Sequence, residues 1–158
     1  MENIDKSKLP YRPAVVGIVV DNYDNFLLLQ SVFYKEDEWS FPGGGVKDNE
    51  DPGVALIREL GEELGTSNFY MLGKSRHVVE YDWPDEVILR HFRESGIMWR
   101  GNCQTQYLVK FTAKKKEIKP NPEDIREVKW VTLEELPLFL VFPKQWENTK
   151  KAIEELLG

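Results

Sequence analysis

The sequence has few residues of the kinds that hold disulfides, zinc or a membrane anchor. Its one cysteine, Cys103, cannot form a disulfide within the chain, so we expect an inert thiol in a reducing compartment. His77 and His91 have no partner at metal-ligand spacing, which argues against zinc and favours polar surface or loop positions. No segment approaches the roughly 18 apolar residues that span a bilayer, and the charged N-terminus lacks a signal-peptide core. We therefore expect a cytoplasmic protein that does not associate with membranes.

The chain also has less positive than negative charge. The chain has 21 lysines and arginines against 27 aspartates and glutamates, which gives a net charge of −6. Such a charge argues against nonspecific binding to polyanions such as duplex DNA. A phosphate-bearing substrate would therefore need a metal ion and a few basic side chains to meet its charge. The run Lys114-Lys115-Lys116 is predicted to be a solvated loop, with contact to a long polyphosphate or an RNA end as the alternative.

The length and the pattern of apolar residues predict a single α/β domain, residues 1–158, since no repeat or linker divides the chain. Apolar segments rich in β-branched residues predict strands, the first two joined as a hairpin, at 14–20, 26–32, 69–82, 104–113 and 127–132. Between the third and fourth strands, 83–101 is predicted to be a long polar connection. A short helical turn at 133–136, ended by Pro137, precedes a last helix at roughly 143–157. Strands interleaved with two substantial helices predict an α/β sandwich around a mixed sheet.

The first helix has the clearest signals at its ends. Asp51 is placed to cap its N-terminus, and Pro52 suits the first helical position because its missing N–H needs no partner there. Gly65 is placed to end the helix in the left-handed conformation. Gly61 lies in the middle of the helix at a cost of about 1 kcal/mol relative to alanine. We therefore expect a close backbone contact at Gly61.

Three carboxylates lie on one stripe of this helix. Glu59, Glu62 and Glu63 have the i, i+3, i+4 spacing that stacks side chains on one face, where like charges repel each other. One interpretation is an acidic surface helix. The other is a hard divalent cation held among the carboxylates and by a backbone carbonyl of the preceding glycine turn, and Mg²⁺ suits such oxygen ligands. Together with bound phosphates, the cation would neutralise a leaving group and activate water, and one crowded glutamate with a raised pKa would act as the base.

The spacing around the carboxylates is specific. Gly44 is followed after five residues by Glu50 and after seven more by Arg58-Glu59-Leu60-Gly61-Glu62-Glu63-Leu64-Gly65. This segment, 44–66, resembles the signature of the Nudix hydrolases, and Thr66 departs from the apolar residue that closes the family pattern. The resemblance implies the Nudix α/β/α sandwich. It also implies a pyrophosphohydrolase that cleaves a nucleoside diphosphate linked to another group with Mg²⁺ or Mn²⁺.

The resemblance also implies roles for single residues. It gives the metal site as the carboxylates of Glu59, Glu62 and Glu63 and the carbonyl of Gly43. From its residue type, Arg58 is predicted to pair with Glu50 in a bidentate ion pair that holds the glycine turn, including Gly44, against the helix. These three residues are therefore expected to support the site without contacting phosphate.

Other segments resemble the branch of the family that holds dinucleoside tetraphosphate hydrolases and RNA 5′-pyrophosphohydrolases: Tyr11-Arg12-Pro13, Trp39-Ser40-Phe41-Pro42 and Trp99-Arg100-Gly101-Asn102-Cys103-Gln104. In that branch the match to Arg12 lies near the substrate, and an acidic residue matching Asp124, with Glu123 and Glu127 as competitors, joins the metal site. A Phe-Lys pair resembled by Phe142-Pro143-Lys144, with one residue inserted, contacts the substrate. The branch's Gln-Lys-Gln-Lys-Trp run is only partly kept, as 102–107.

Each substrate residue has a structural alternative. Arg12 would then lie at the start of a strand with its charge in solvent, and Phe142 would cap the last helix as a core residue. Trp39 and Trp130 are predicted to be core aromatics. The segment 81–84, Tyr-Asp-Trp-Pro, either lines the substrate cleft or merely connects two strands.

The sequence therefore predicts an enzyme that hydrolyses a phosphoanhydride bond in a nucleoside polyphosphate, with a dinucleoside polyphosphate or a 5′-triphosphorylated RNA end as the leading substrate. The alternatives are another nucleotide substrate, namely a nucleotide sugar, a dinucleotide cofactor or an oxidised nucleoside triphosphate, or a catalytically silent Nudix domain that only binds. The complete set of acidic signature positions argues against the silent domain. The oligomeric state does not follow from the sequence.

Overall fold

The computed structural model describes residues 4–158, which contain six strands and four α-helices. The strands are Tyr11–Val20 (β1), Asn25–Ser31 (β2), Gly43–Gly45 (β3), Phe69–Asp82 (β4), Gly101–Phe111 (β5) and Ile125–Thr132 (β6). The helices are Pro52–Leu64 (α1), Asp85–Ser95 (α2), Leu136–Phe139 (α3) and Gln145–Leu157 (α4). No helix in this part of the chain combines the length and the apolar character needed to cross a membrane.

The strands form one mixed sheet in the order β4-β5-β1-β2-β6, with β3 paired to β1 outside this path. β1 and β5 are parallel, and the other pairs are antiparallel. β1 is shared between two neighbours on one side: Ala14 to Val16 pair with β3, whereas Val20 at the far end lies opposite Phe26 of β2. The predicted hairpin of β1 and β2 is confirmed. The glycine strand β3 thus lies beside the first half of β1.

A separate core covers each face of the sheet. Leu56 of α1 packs with Val15 of β1 on one face, and Ile153 of α4 packs with Ile18 of β1 on the other. Neighbouring residues of β1 enter different cores because successive side chains of a strand point to opposite faces. The predicted α/β sandwich around a mixed sheet is confirmed. Trp39 is buried in the second core, and Trp130 packs against the first, as predicted for core aromatics.

Helix α1 begins and ends where the sequence predicts. The Asp51 side chain accepts hydrogen bonds from the N–H groups of Gly53 (2.9 Å) and Val54 (3.2 Å), and Pro52 opens the helix. Gly65 ends it with φ 72°. The prediction for Gly61 is wrong, because a methyl group added there would meet no atom within 4 Å. Gly61 therefore has no packing partner that requires a glycine.

The prediction that 83–101 is a connection is wrong, because α2 lies within it. Pro84 precedes the helix, and Asp85 and Glu86 in its first turn favour it by interacting with the helix dipole. Gly96 ends it in the left-handed conformation with φ 77°. Ile88 is the one buried residue of the helix. Only four of its 11 residues are apolar, so the segment resembles a polar connection in the sequence, which explains why the sequence does not reveal α2.

Two predicted boundaries also need correction. β5 begins at Gly101 instead of 104, because parallel pairing with β1 extends to the level of Tyr11. Pro137 lies in the first turn of α3 and so opens a helix that it was predicted to end. The last helix begins at Gln145, close to the predicted start.

Candidate active site

The glycine strand lies directly against the acidic face of α1. The N–H of Gly43 donates to Oε1 of Glu63 at 2.9 Å. A side chain at Gly44 would overlap the carboxylate of Glu59. This close approach requires glycine at position 44, since any Cβ would displace the carboxylate. Glu62 lies further out, with its side chain 56% exposed.

Arg58 joins the carboxylates to the glycine turn. Its Nε and Nη2 donate to the two carboxylate oxygens of Glu50 at 2.8 and 2.9 Å, which is the predicted bidentate pair. Nη2 also donates to the carbonyl of Gly45 (2.9 Å), and Nη1 donates to Glu59 (2.9 Å) and, more weakly, to Glu62 (3.3 Å). Arg58 therefore holds the turn, the helix and two of the three carboxylates in one arrangement.

The surroundings shift the pKa values of these carboxylates in opposite directions. Hydrogen bonds from Arg58 lower the pKa of Glu50 to about 2. Burial raises the pKa of Glu63 to about 8; the Gly43 N–H opposes this effect, and the neighbouring charges of Glu59, Asp124 and Glu62 add to it. Burial also raises the pKa of Glu59, against the lowering effect of Arg58. Glu63 is therefore prepared to take up a proton near neutral pH in the ligand-free protein.

Asp124 is brought to this region by the loop before β6. The loop crosses the C-terminal end of α1, where the N–H of Lys119 donates to the Leu64 carbonyl (2.7 Å) and that of Asn121 donates to the Glu63 carbonyl (2.9 Å). The Asn121 side chain in turn donates to the Asp124 carboxylate at 3.2 Å. The charge of Asp124 contributes to the raised pKa of Glu63. We call Glu59, Glu62, Glu63 and Asp124 the carboxylate cluster.

The chemistry of the carboxylate cluster fits a hard divalent cation. All donors are carboxylate oxygens beside backbone carbonyls, which are the ligands that Mg²⁺ and Mn²⁺ prefer. Within residues 4–158, no three acidic, histidine or cysteine side chains already converge into a metal-binding group. The carboxylates fail to converge in part because Glu59 and Glu62 accept hydrogen bonds from Arg58. The raised pKa of Glu63 marks a carboxylate whose charge a nearby cation would stabilise.

Arg12 lies beside the carboxylate cluster, at the start of β1. Its guanidinium lies so close to Gly45 that a side chain there would come within 3.3 Å of it, and the charge of Glu59 acts on the Arg12 pKa. Nε of Arg12 donates to Oδ1 of Asn102 at 3.0 Å, and the guanidinium lies 5.3 Å from the ring centre of Trp83. Burial lowers the pKa of Arg12. Arg12 is therefore not the solvent-exposed strand residue of the structural alternative.

Phe142 reaches the same region through Tyr34. Their rings meet edge to face with centres 5.2 Å apart. Tyr34 is close enough to Glu63 and Tyr81 for their charges to raise its pKa, although burial is the larger cause. Lys144 is exposed at the start of α4 with φ 62°, and its side chain makes no hydrogen bond or ion pair with residues 4–158. The structure thus brings Phe142 towards the cluster and leaves the Lys144 side chain without a polar partner among the described residues.

Three further outcomes concern residues outside the cluster. His77 is exposed as predicted, whereas His91 lies half-buried on α2 and its ring stacks on Trp83 with centres 4.2 Å apart. Lys115 is not simply solvated, because it pairs with the buried Asp21 at 3.1 Å. Burial raises the pKa of the Cys103 thiol, which agrees with an inert cysteine.

Sequence reasoning missed Tyr34, Asn102 and the stacked His91. Asn102 is 6% exposed, and both ends of its amide have a partner: Oδ1 accepts from Arg12, and Nδ2 donates to the hydroxyl of Tyr81 at 2.8 Å. Asn102 thus links Tyr81 to Arg12 beside the carboxylate cluster, a position that favours the first of the two alternatives for 81–84. The one available signal was the polar alternation of 102–106 within an otherwise apolar strand, which indicates that one face of that strand is not core.

Comparisons with known proteins agree with this geometry. A family model described as the NUDIX domain matches residues 10–156. The chain is 32% identical over 160 residues to an RNA pyrophosphohydrolase of Rickettsia prowazekii (strain Madrid E), covering 94% of this chain and 93% of that protein. It is 31% identical over 170 residues to an RNA pyrophosphohydrolase of Rickettsia peacockii (strain Rustic), covering 99% of each. A solved C. elegans Ap4A hydrolase binary complex shares the fold, with a TM-score of 0.68, 20% identity and coverage of 92% of this chain and 98% of that chain.

Proposed function

The chain belongs to the Nudix hydrolase family, and from this premise we propose that it hydrolyses a phosphoanhydride bond in a nucleoside polyphosphate, with a 5′-triphosphorylated RNA end or a dinucleoside polyphosphate as substrate. The observation that carries the proposal is the packing of the carboxylates of α1 around the glycine strand, beside Arg12. Full-length relatives named RNA pyrophosphohydrolase support an RNA end as substrate.

Glu59, Glu62 and Glu63, the Gly43 carbonyl and Asp124 would hold Mg²⁺, for which Mn²⁺ would substitute. The bound cation would supply charge neutralisation for the phosphates and acidify a coordinated water. Arg58 and Glu50 keep these ligands in place without touching phosphate, because their charged groups are already paired with each other.

Glu63 is our candidate for the residue that accepts the proton of the attacking water. Its Oε1 accepts from the Gly43 N–H, whereas Oε2 has no hydrogen-bond partner within residues 4–158. In the reaction, the water oxygen forms a new bond to phosphorus, the bridging P–O bond breaks, and the water proton passes to the base. The oxygen Oε2 is free for this role, and the charge of the bound cation would keep the carboxylate ionised so that it can accept the proton.

Arg12 is our candidate for the phosphate contact. Its Nη1 and Nη2 have no partner within residues 4–158, and since no buried polar atom of this part lacks a partner, they remain accessible to a ligand. A guanidinium with free parallel N–H groups is suited to bind two phosphate oxygens. Phe142 and Lys144 would contact the nucleoside, the first by stacking and the second by charge.

The test is a substrate panel with Mg²⁺ and identification of the products. It contains triphosphorylated RNA, diadenosine tetraphosphate, a nucleotide sugar, a dinucleotide cofactor and nucleoside triphosphates. We expect the first two to have the highest kcat/KM and Glu62→Gln to lower kcat about a hundredfold or more. Glu154→Gln, on the exposed side of α4, is the matched control and should retain activity.

Two results would contradict the proposal at different levels. The absence of metal-dependent hydrolysis of every substrate would exclude the enzyme. A nucleotide sugar hydrolysed with a kcat/KM about ten times higher than that of the first two substrates would exclude the proposed substrate class and leave the enzyme in place, since a tenfold ratio corresponds to about 1.4 kcal/mol of transition-state binding.

A further inference from the structure

Three neighbouring strands place three polar side chains in one row beside the carboxylate cluster. Arg12 of β1 is paired in register with Asn102 of β5, and Asn102 is paired with Tyr81 of β4. Residues in register on adjacent strands point to the same face, so the three side chains meet there. We call Tyr81, Asn102 and Arg12 the polar row. Asn102 lies in its middle and is 6% exposed, whereas Tyr81 is 40% exposed.

The direction of each hydrogen bond in the polar row follows from Arg12. A guanidinium can only donate, so the group of Asn102 that lies 3.0 Å from Arg12 Nε must be the carbonyl oxygen Oδ1. The amide nitrogen of Asn102 must then face Tyr81, 2.8 Å from its hydroxyl oxygen. The donor-only guanidinium of Arg12 thus fixes which end of the Asn102 amide is oxygen and which is nitrogen.

The hydroxyl of Tyr81 is consequently an acceptor towards the protein. It accepts from Asn102 Nδ2 and, at 3.2 Å, from Gln104 Nε2. A phenolic oxygen carries one hydrogen, and neither of these contacts uses it. The Tyr81 O–H is therefore left to donate to a ligand on the exposed side of the row. Arg12 also has two unused NH₂ groups, Nη1 and Nη2, so the row presents only donors.

We propose that Asn102 is a positioning residue that acts through its two neighbours: its carbonyl oxygen holds the Arg12 guanidinium beside the carboxylate cluster, and its N–H fixes the Tyr81 hydroxyl as a hydrogen-bond donor to a phosphate oxygen of the substrate. This inference rests on the proposed function for the identity of the ligand. A row that presents only donors suits an anionic oxygen, since such bonds are stronger than those between neutral groups. Asn102 itself is too buried to contact the substrate.

The first test measures the position of Arg12 in the protein without substrate. Hydrogen exchange of the Arg12 Nε–H is followed by NMR, and the signal is assigned with Arg12→Lys. We expect slow exchange in the wild type and exchange at least about tenfold faster in Asn102→Leu, which has a similar shape and no acceptor. Gln104→Leu removes the other donor to Tyr81 and should leave the Arg12 signal unchanged. Unchanged exchange in Asn102→Leu would overturn the proposal.

The second test measures kcat and KM on a 5′-triphosphorylated dinucleotide with Mg²⁺. We expect Asn102→Leu to lower kcat/KM roughly tenfold to a hundredfold, because a hydrogen bond to a charged group is lost. In an Arg12→Ala/Tyr81→Phe background, the same substitution should change kcat/KM less than about twofold. Equal losses in both backgrounds would show that Asn102 acts independently of its neighbours and would overturn the proposal. Thr105→Val, on the opposite face of β5, is the isosteric control and should retain activity.

Asn102→Asp provides a second variant if Asn102→Leu does not fold, as judged by its melting curve. Its carboxylate still accepts from Arg12, so slow exchange of the Nε–H should persist. The introduced carboxylate can only accept a hydrogen bond from Tyr81. The Tyr81 O–H would then donate to this carboxylate instead of the substrate, so kcat/KM should fall at least to the level of Tyr81→Phe. Full activity would overturn the role of Tyr81. If the wild type hydrolyses no pyrophosphate substrate, the proposed function fails, whereas the exchange measurement still decides whether Asn102 holds Arg12.

Discussion

At the scale of single residues, Arg58 makes the most hydrogen bonds in the candidate site, and Glu63 has the most strongly raised pKa there. Arg58 distributes its donors over Glu50, Glu59, Glu62 and the Gly45 carbonyl, which no other side chain can do because only guanidinium presents five N–H groups in a fixed plane. Glu63 is the opposite case. It keeps a raised pKa because its surroundings are buried and negatively charged.

Arg58→Lys should lower kcat/KM roughly a hundredfold, although the charge is retained. A lysine ammonium cannot bind both oxygens of Glu50 and the Gly45 carbonyl together, so the glycine turn and Glu59 shift, and misplacement by about 1 Å costs on that order. The measurement is steady-state kinetics with circular dichroism to verify folding. Wild-type kcat/KM in a folded Arg58→Lys protein would contradict the role given to the planar group.

Glu63→Gln should stabilise the metal-free protein at high pH. A folded-state pKa of about 8, above the ordinary 4.5, means that the folded state binds the proton more tightly. The stability that this gives is fully present below pH 4.5 and is lost as the pH rises through 8. The neutral amide of the introduced glutamine resembles the protonated carboxyl and does not titrate, so the loss should be absent in the variant.

The measurement is the free energy of unfolding in denaturant, with a chelator, between about pH 5 and pH 9, a range that spans the transition between the two pKa values. The difference between Glu63→Gln and wild type should grow with pH across this range. Glu154→Gln is the control, because the Glu154 side chain is 66% exposed on α4 and its charge does not contribute to the pKa of Glu63. A difference that shrinks with rising pH would contradict the assigned cause.

At the scale of secondary structure elements, the contact of β3 with α1 decides the geometry of the site. Gly44 and Gly61 both belong to the signature segment, but they differ in the space available for a side chain. Gly44 has the Glu59 carboxylate where a side chain would be, whereas Gly61 faces open space. The Glu59 carboxylate therefore keeps its position only when residue 44 has no Cβ.

Gly44→Ala should therefore lower kcat about a hundredfold or more by displacing Glu59, since electrostatic groups at a reacting centre each contribute on that order. Gly61→Ala is its matched control and should raise the free energy of unfolding by about 0.5–1 kcal/mol with activity retained, because alanine favours the helix interior. Kinetics and denaturant unfolding of both variants test this pair. Equal loss of activity in the two variants would indicate a general effect of substitution in this region.

At the scale of the whole molecule, the site forms where both layers of the sandwich and several distant segments meet. The carboxylates come from α1, Arg12 from β1, Tyr81 from β4 and Asp124 from the loop before β6. The chain carries a net charge of −6, and three of its carboxylates lie on one face of α1. Binding of a cation there should stabilise the whole fold, because only the folded chain assembles the site.

Mg²⁺ should raise the melting temperature in proportion to the logarithm of its concentration once it exceeds Kd, with a gain of about 2.7 kcal/mol at about 100 times Kd. Differential scanning calorimetry with a chelator as the reference measures this gain. Glu59→Gln should reduce the gain, and NaCl at equal ionic strength should not reproduce it. The absence of any Mg²⁺-dependent gain in the wild type would contradict cation binding at the carboxylate cluster.

The sequence by itself determined the features that depend on near neighbours in the chain. Caps act within one turn, so Asp51 and Gly65 marked both ends of α1. The spacing from Gly44 to Gly65 identified the family and the pairing of Arg58 with Glu50, because both partners flank one helix and its entering turn.

The tertiary structure alone decided what depends on pairing between distant segments. The row of Tyr81, Asn102 and Arg12 exists because β4, β5 and β1 align in one register, and no local pattern encodes that register. Helix α2 remained hidden because only four of its 11 residues are apolar, so the segment resembles a polar connection. The physical reason is common to both. Local propensity is set by the chain's own neighbours, whereas the position of a side chain in a site is set by long-range packing that brings separate strands and helices together.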